Sequence, residues 1–122
     1  RYQGGANIIE HQAIGKMIAD MTIKIEHART MLWKTAWAID NEKTISDFSI
    51  NNLPFEIITS SFTAETMQEV AHLSAECFGA MGVMRDMPLQ KYLNDSLIFL
   101  NSDTHNLSTK LRIADAVANL NQ

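Results

Sequence analysis

Carboxylates, imidazoles and a single thiol are the groups in this chain that could do chemistry, and their spacing decides which kind. Glu69 and His72 form one Glu-x-x-His step in EVAH. A di-iron or di-manganese carboxylate bundle needs two such steps on separate helices plus two further glutamates. With one step present, the pair reads as two solvated or interfacial side chains. His11, His27 and His105 share no ligand spacing, and Cys77 is the sole cysteine, too little for a zinc cluster or a redox pair. Neither a Gly-x-Ser-x-Gly elbow nor a GxxxxGK[ST] phosphate loop occurs. What remains is the polar run NSDT, set directly after the apolar LIFL, with Asp103 as its carboxylate. A loop carboxylate acts as a general base when it comes within hydrogen-bond reach of a proton. The plainer reading is a helix break in which Asp103 or Thr104 caps the helix that follows.

Those groups must be held by helices. Between Asn7 and about Asn41 there is no proline, and Ile14, Ile18, Met21, Ile25, Ala28, Leu32, Ala36 and Ile39 recur in steps of three and four, one helical face. A helix of about 34 residues extends roughly 50 Å, so the expected shape is elongated. Residues 42–53, EKTISDFSINNL, read as a connection. Pro54 suits a helix start, and Phe55, Ile58, Phe62, Val70, Leu73 and Cys77 line a second helix ending near Phe78, where Gly79 and Gly82 stop it. Pro88 opens a third helix to about Leu100, and Leu107, Leu111, Ala114 and Val117 mark a fourth. No segment alternates over a strand's length, so the expected fold is all-α, an up-and-down four-helix bundle with one long N-terminal helix.

At 122 residues, 46% apolar and 20% charged, the chain is expected to form one domain, residues 1–122. A formal charge of −4 leaves no basic stripe, so neither nucleic acid nor a membrane surface is an expected partner. No apolar run approaches the roughly 18 to 20 residues that span a bilayer. A lone cysteine fits a reducing compartment, and a cytoplasmic location is expected. Because the first residue is Arg1 and not Met, the chain is expected to be excised from a longer one.

The order of segments says more than any one of them. RYQGG leads into IIEHQAIGKMIADM, then AWAID, then SSFTAETMQEVAHLSAECFGAMG, then MPLQKYLNDS. This series resembles the C-terminal helical domain of the flavin-dependent acyl-CoA dehydrogenases. That family opens with Arg-x-x-Phe-Gly, carries a His-Gln pair on its first helix, a Gln-x-x-Gly-Gly-x-Gly turn, a proline starting the next helix, an Arg-Asp-Ala, and a Tyr-Glu-Gly-Thr loop. The resemblance covers essentially the whole chain, and no insertion separates Arg1 from His11 and Gln12, or Gly79 from Pro88 and Asp95.

The resemblance implies FAD as cofactor, an acyl-CoA substrate, an electron-transfer acceptor, a place in fatty acid metabolism, and a homo-oligomer, dimer or tetramer. By matched position, Arg1 contacts the phosphates of the flavin dinucleotide, Gln3 supplies a small polar contact, and His11 and Gln12 lie near the dinucleotide. Glu76 stands where a glutamine is usual, placing a negative charge beside an anionic cofactor. Gly79 and Gly82 are kept, while Ala80 takes the second glycine's place and Gly4 that of the aromatic. Asn94 replaces the arginine of Arg-Asp-Ala. Asp103 sits where the family's loop glutamate removes the substrate α-proton, in a loop one residue shorter, and Thr104 and Asn106 match positions that touch the flavin. Glu76, Gly4 and the short loop also motivate a second class of function, a non-catalytic helical module kept for oligomerisation.

Overall fold

The computed structural model describes residues 1–41, 54–101 and 106–118, and the side chain of Asn106 is not among the described groups. The expected connection 42–53 and the residues Asp103, Thr104 and His105 lie outside them.

A two-residue antiparallel ladder comes first, β1 (Tyr2–Gln3) with β2 (Ala6–Asn7), in register Tyr2 with Asn7 and Gln3 with Ala6. Its turn is Gly4–Gly5, with φ of 65° and 84°. A two-residue hairpin whose twist matches its strands needs positive φ at both central positions, which glycine adopts without strain. A 3-10 turn, Ile8–Glu10, follows, and α1 runs Gln12–Asp40 with the extended His11 as its N-cap. The long helix is therefore present but begins at Gln12 and not near Asn7: the hairpin takes up the preceding residues, and the Ile8 amide donates to the Arg1 carbonyl at 2.9 Å. Its 29 residues extend about 44 Å.

Pro54 is the N-cap of α2, Phe55–Phe78, and Gly79 with φ 61° and ψ −138° ends it, donating its amide to the Glu76 carbonyl. That backbone conformation is essentially restricted to glycine. A 3-10 segment, Gly79–Val83, leads to α3, Pro88–Asn101, whose first residue is the expected proline, and α4 runs Asn106–Ala118. The architecture is all-α with four main helices, as the periodicity predicts. Helix α2 is the hub: α1, α3 and α4 each pack against it. No described helix is long and apolar enough to cross a membrane.

The interior is built from small side chains. Ala28, Ala38, Ala71, Cys77 and Leu89 are buried alongside the hydroxyls of Thr35, Thr59, Thr66 and Ser96. Along α1 the covered positions include Ile14, Met17, Met21, Lys24, Ala28, Met31, Thr35 and Ala38, alternating steps of three and four, the seam of a heptad, with Gly15 and Asp20 part-covered beside it. The predicted apolar stripe coincides with this seam at Ile14, Met21 and Ala28 only. Its other isoleucines and leucine, Ile18, Ile25, Leu32 and Ile39, form a parallel row that is 37% to 56% exposed. Helix α1 thus carries two apolar rows, one packed on α2 and a more exposed outer row, in which Ile18 lines a cavity against the end of α2 and Ile25 and Leu32 line a groove with α2 and α3. Trp33 and Trp37 are exposed beside the outer row.

Candidate functional site

The hairpin folds over the end of the bundle where α1 begins and α2 stops. The Arg1 guanidinium donates from Nη1 to the Phe78 carbonyl at 3.0 Å and from Nη2 to the Gln3 side-chain oxygen. A cation at a helix C-terminus meets both an unpaired carbonyl and the negative end of the macrodipole. The His11 imidazole lies 2.9 Å from the Gln3 carbonyl through Nε2; a carbonyl only accepts, so Nε2 carries the proton. The Tyr2 hydroxyl closes the turn onto the Gly5 carbonyl at 2.6 Å.

Four of the expected site residues therefore converge: Arg1, Gln3, His11 and Gly79, whose added Cβ would sit 3.7 Å from Arg1 Nη1. Gln12 is exposed as the first residue of α1, and Ala80 lies in the 3-10 segment. Glu76, one turn before Gly79, pairs with His72 at 3.2 Å. The remaining expected residues are not brought to this corner by the described structure: Asn106 is the first residue of α4, and Asp103 and Thr104 are outside the described residues.

Beneath the hairpin, Arg1, Ile8, Ile18, Met21, Cys77, Phe78 and Met81 line a mostly apolar cavity of about 320 Å³. The Cys77 thiol is 4.0 Å from the Met17 sulfur. Burial pushes its pKa up, and the Glu76 carboxylate pushes it in the same direction because a thiolate would be both desolvated and repelled. Glu69 of the EVAH step pairs with Lys24 across the α1–α2 interface, so the two residues of that step have separate partners. Among the described residues no group of three or more His, Cys, Asp or Glu side chains is placed to hold a metal ion.

Two site features escape sequence reasoning. The Tyr2 latch has a readable local sign, a tyrosine two positions before a Gly-Gly turn. The Phe78 carbonyl has none, since a backbone acceptor 77 residues from its donor leaves no mark in composition or period.

The corner can be tested for a dinucleotide. Arg1 is exposed and uses two of its guanidinium N–H groups internally; a guanidinium has five, so the remainder suit a phosphate. Gly79, at φ 61°, ends α2 directly beside the guanidinium. The donor set fits an anionic phosphate group, and Glu76 is the opposing charge.

Comparison with known proteins agrees with the all-α fold. Residues 1–101 match the family model described as acyl-CoA dehydrogenase, C-terminal domain, so the match ends at Asn101, ahead of Asp103. Over 98 residues the chain is 28% identical to the short-chain specific acyl-CoA dehydrogenase, mitochondrial, of Rattus norvegicus, covering 80% of this chain and 22% of that protein. Over 99 residues it is 30% identical to the 3-sulfinopropanoyl-CoA desulfinase of Cupriavidus necator, covering 81% and 23%. The fold superimposes on a chain from the solved electron transferring flavoprotein of Acidaminococcus fermentans with a TM-score of 0.83 and 25% identity, over 100% of this chain and 30% of that one. The chain thus spans less than a quarter of the length of the first two relatives. On the match over residues 1–101, this chain belongs to the acyl-CoA dehydrogenase C-terminal domain family.

Proposed function

We propose that this chain serves as the C-terminal helical domain of an FAD-dependent acyl-CoA dehydrogenase, contributing cofactor contacts, a subunit interface and the base for α,β-dehydrogenation of an acyl-CoA thioester. The observation that carries the reading is the corner at Arg1, where outward N–H donors stand beside the glycine turn at Gly79. In this reading Arg1 holds phosphate, while Gln3, His11, Gln12, Gly79 and Ala80 shape the surface around it, and Glu76 weakens the grip through charge. FAD held there by Arg1 would supply the acceptor for the substrate's β-hydride. Asp103 takes the α-proton onto its carboxylate, Thr104 and Asn106 follow it on the flavin side, and a trans-2-enoyl thioester is left. An electron-transfer acceptor then receives the reducing equivalents. The outer apolar row of α1 contributes to contact between subunits, and the lone thiol Cys77 suits a reducing compartment such as the cytoplasm.

The test uses the full-length protein. A stoichiometric flavin spectrum that an acyl-CoA bleaches in the wild type, and that bleaches at least a hundredfold more slowly in Asp103→Ala, is the expected result, since general-base work contributes about 10²–10⁴ in rate. Undiminished bleaching in the variant removes Asp103 from the mechanism. A protein without flavin leaves the non-catalytic helical module as the function.

A further inference from the structure

We infer that Gln3 is a positioning residue for Arg1, fixing the guanidinium plane through a hydrogen-bond relay that runs from the start of α1 to the end of α2. The relay is continuous on named atoms. His11, the N-cap of α1, donates Nε2–H to the Gln3 carbonyl at 2.9 Å. The Gln3 side-chain oxygen accepts from Arg1 Nη2, and Arg1 Nη1 donates to the Phe78 carbonyl at 3.0 Å.

Each link restrains the next. The Gln3 backbone is held by its pairing with Ala6 and by the imidazole, and the ring packs over Gly4, where an added Cβ would lie 3.4 Å from two ring atoms. With its backbone held, Gln3 has its amide oxygen fixed opposite Arg1. An arginine side chain otherwise has its rotamer freedom to lose on binding; two internal acceptors on separate nitrogens remove much of that freedom before any ligand arrives. Gln3 therefore acts through Arg1 and not by touching a ligand itself, a role different from the direct polar contact that its sequence position suggests.

The functional consequence rests on the reading of Arg1 as a phosphate contact, and the experiment separates the two. In full-length protein, Gln3→Leu keeps the Arg1 charge and removes the acceptor. The expected results are about a tenfold weaker dissociation constant for FAD titrated into the apoprotein, and about a tenfold faster amide hydrogen exchange at Ile8, which donates to the Arg1 carbonyl, with mid-α2 protection unchanged. Gln3→Glu restores an acceptor and is expected to bring Ile8 exchange back to within about twofold of wild type. The inference is overturned if Gln3→Leu leaves Ile8 exchange at the wild-type rate, or if Gln3→Glu exchanges as fast as Gln3→Leu. Should wild-type apoprotein fail to take up FAD, the cofactor reading falls, and the Ile8 comparison still decides the relay.

Discussion

The hydroxyls of Thr35 and Thr59 meet 2.6 Å apart, buried where α1 packs on α2. Each satisfies the other in a place where water does not reach, so the pair behaves as a unit. Thr35→Val leaves the Thr59 hydroxyl unpaired and is expected to destabilise the protein by about 1–3 kcal/mol, as is Thr59→Val. The double variant replaces both hydroxyls by methyl groups of similar shape and should recover most of that loss. Thermal unfolding of the four proteins checks this, and additive losses in the double variant would show that the hydroxyls are not coupled.

Thr63 predicts the opposite sign. Its hydroxyl is buried on α2 with no hydrogen-bond partner among the described residues. Thr63→Val removes that unpaired group while keeping the branched shape, and should stabilise by about 1 kcal/mol. A lower melting temperature in Thr63→Val would mean that the hydroxyl is satisfied in the full-length protein.

Cys77 should be a slow nucleophile. Its raised pKa means less thiolate at a given pH, so iodoacetamide should label it more slowly than a free thiol at pH 8. Glu76→Gln removes the second cause and should speed labelling. The same shift fixes a sign for stability. The folded state keeps the Cys77 proton to higher pH than the unfolded chain does, so this contribution is whole below the ordinary thiol value of about 8.5 and is lost as pH rises from there through the raised folded value. Urea titrations of wild type and Cys77→Ala between pH 7 and pH 10 should diverge less at the alkaline end.

Gly82 tolerates no side chain without movement. A Cβ there would stand 2.6 Å from the Ala75 carbonyl oxygen and 2.9 Å from the Ala75 Cα, both backbone atoms of α2. Gly82→Ala should therefore cost about 1–3 kcal/mol, visible as a lower melting temperature. An unchanged melting temperature would show that the 3-10 segment shifts freely.

The legible and illegible parts of this fold divide along a physical line. Pro54, Gly79 and Pro88 mark helix ends because breakers act on their own backbone, and those boundaries are found within a residue or so. The hairpin is hidden because two-residue strands are too short to alternate, leaving Gly4–Gly5 and the tyrosine before them as its trace. Periodicity finds that α1 is amphipathic but not which row faces α2, since the packed row includes Lys24 and Thr35, and the outer row is the more apolar. At the site, Arg1, Gln3, His11 and Gly79 are named by resemblance. Their convergence is a tertiary event that no local spacing encodes; Glu76 joins the corner only through its carbonyl, which accepts from the Gly79 amide, while its carboxylate pairs with His72.

The bond from Arg1 to Phe78 has a consequence in time. During synthesis the hairpin leaves the ribosome before α2 does, yet its anchor is a carbonyl 77 positions later in the chain. Until α2 is complete, the opening residues have no helix end on which to dock, and closing so long a loop is paid for only when the final turn is in place. The corner that would meet a ligand thus cannot exist before α2 is complete. A nascent chain halted before Phe78 would carry every residue of the hairpin and still lack the surface that the hairpin helps to build.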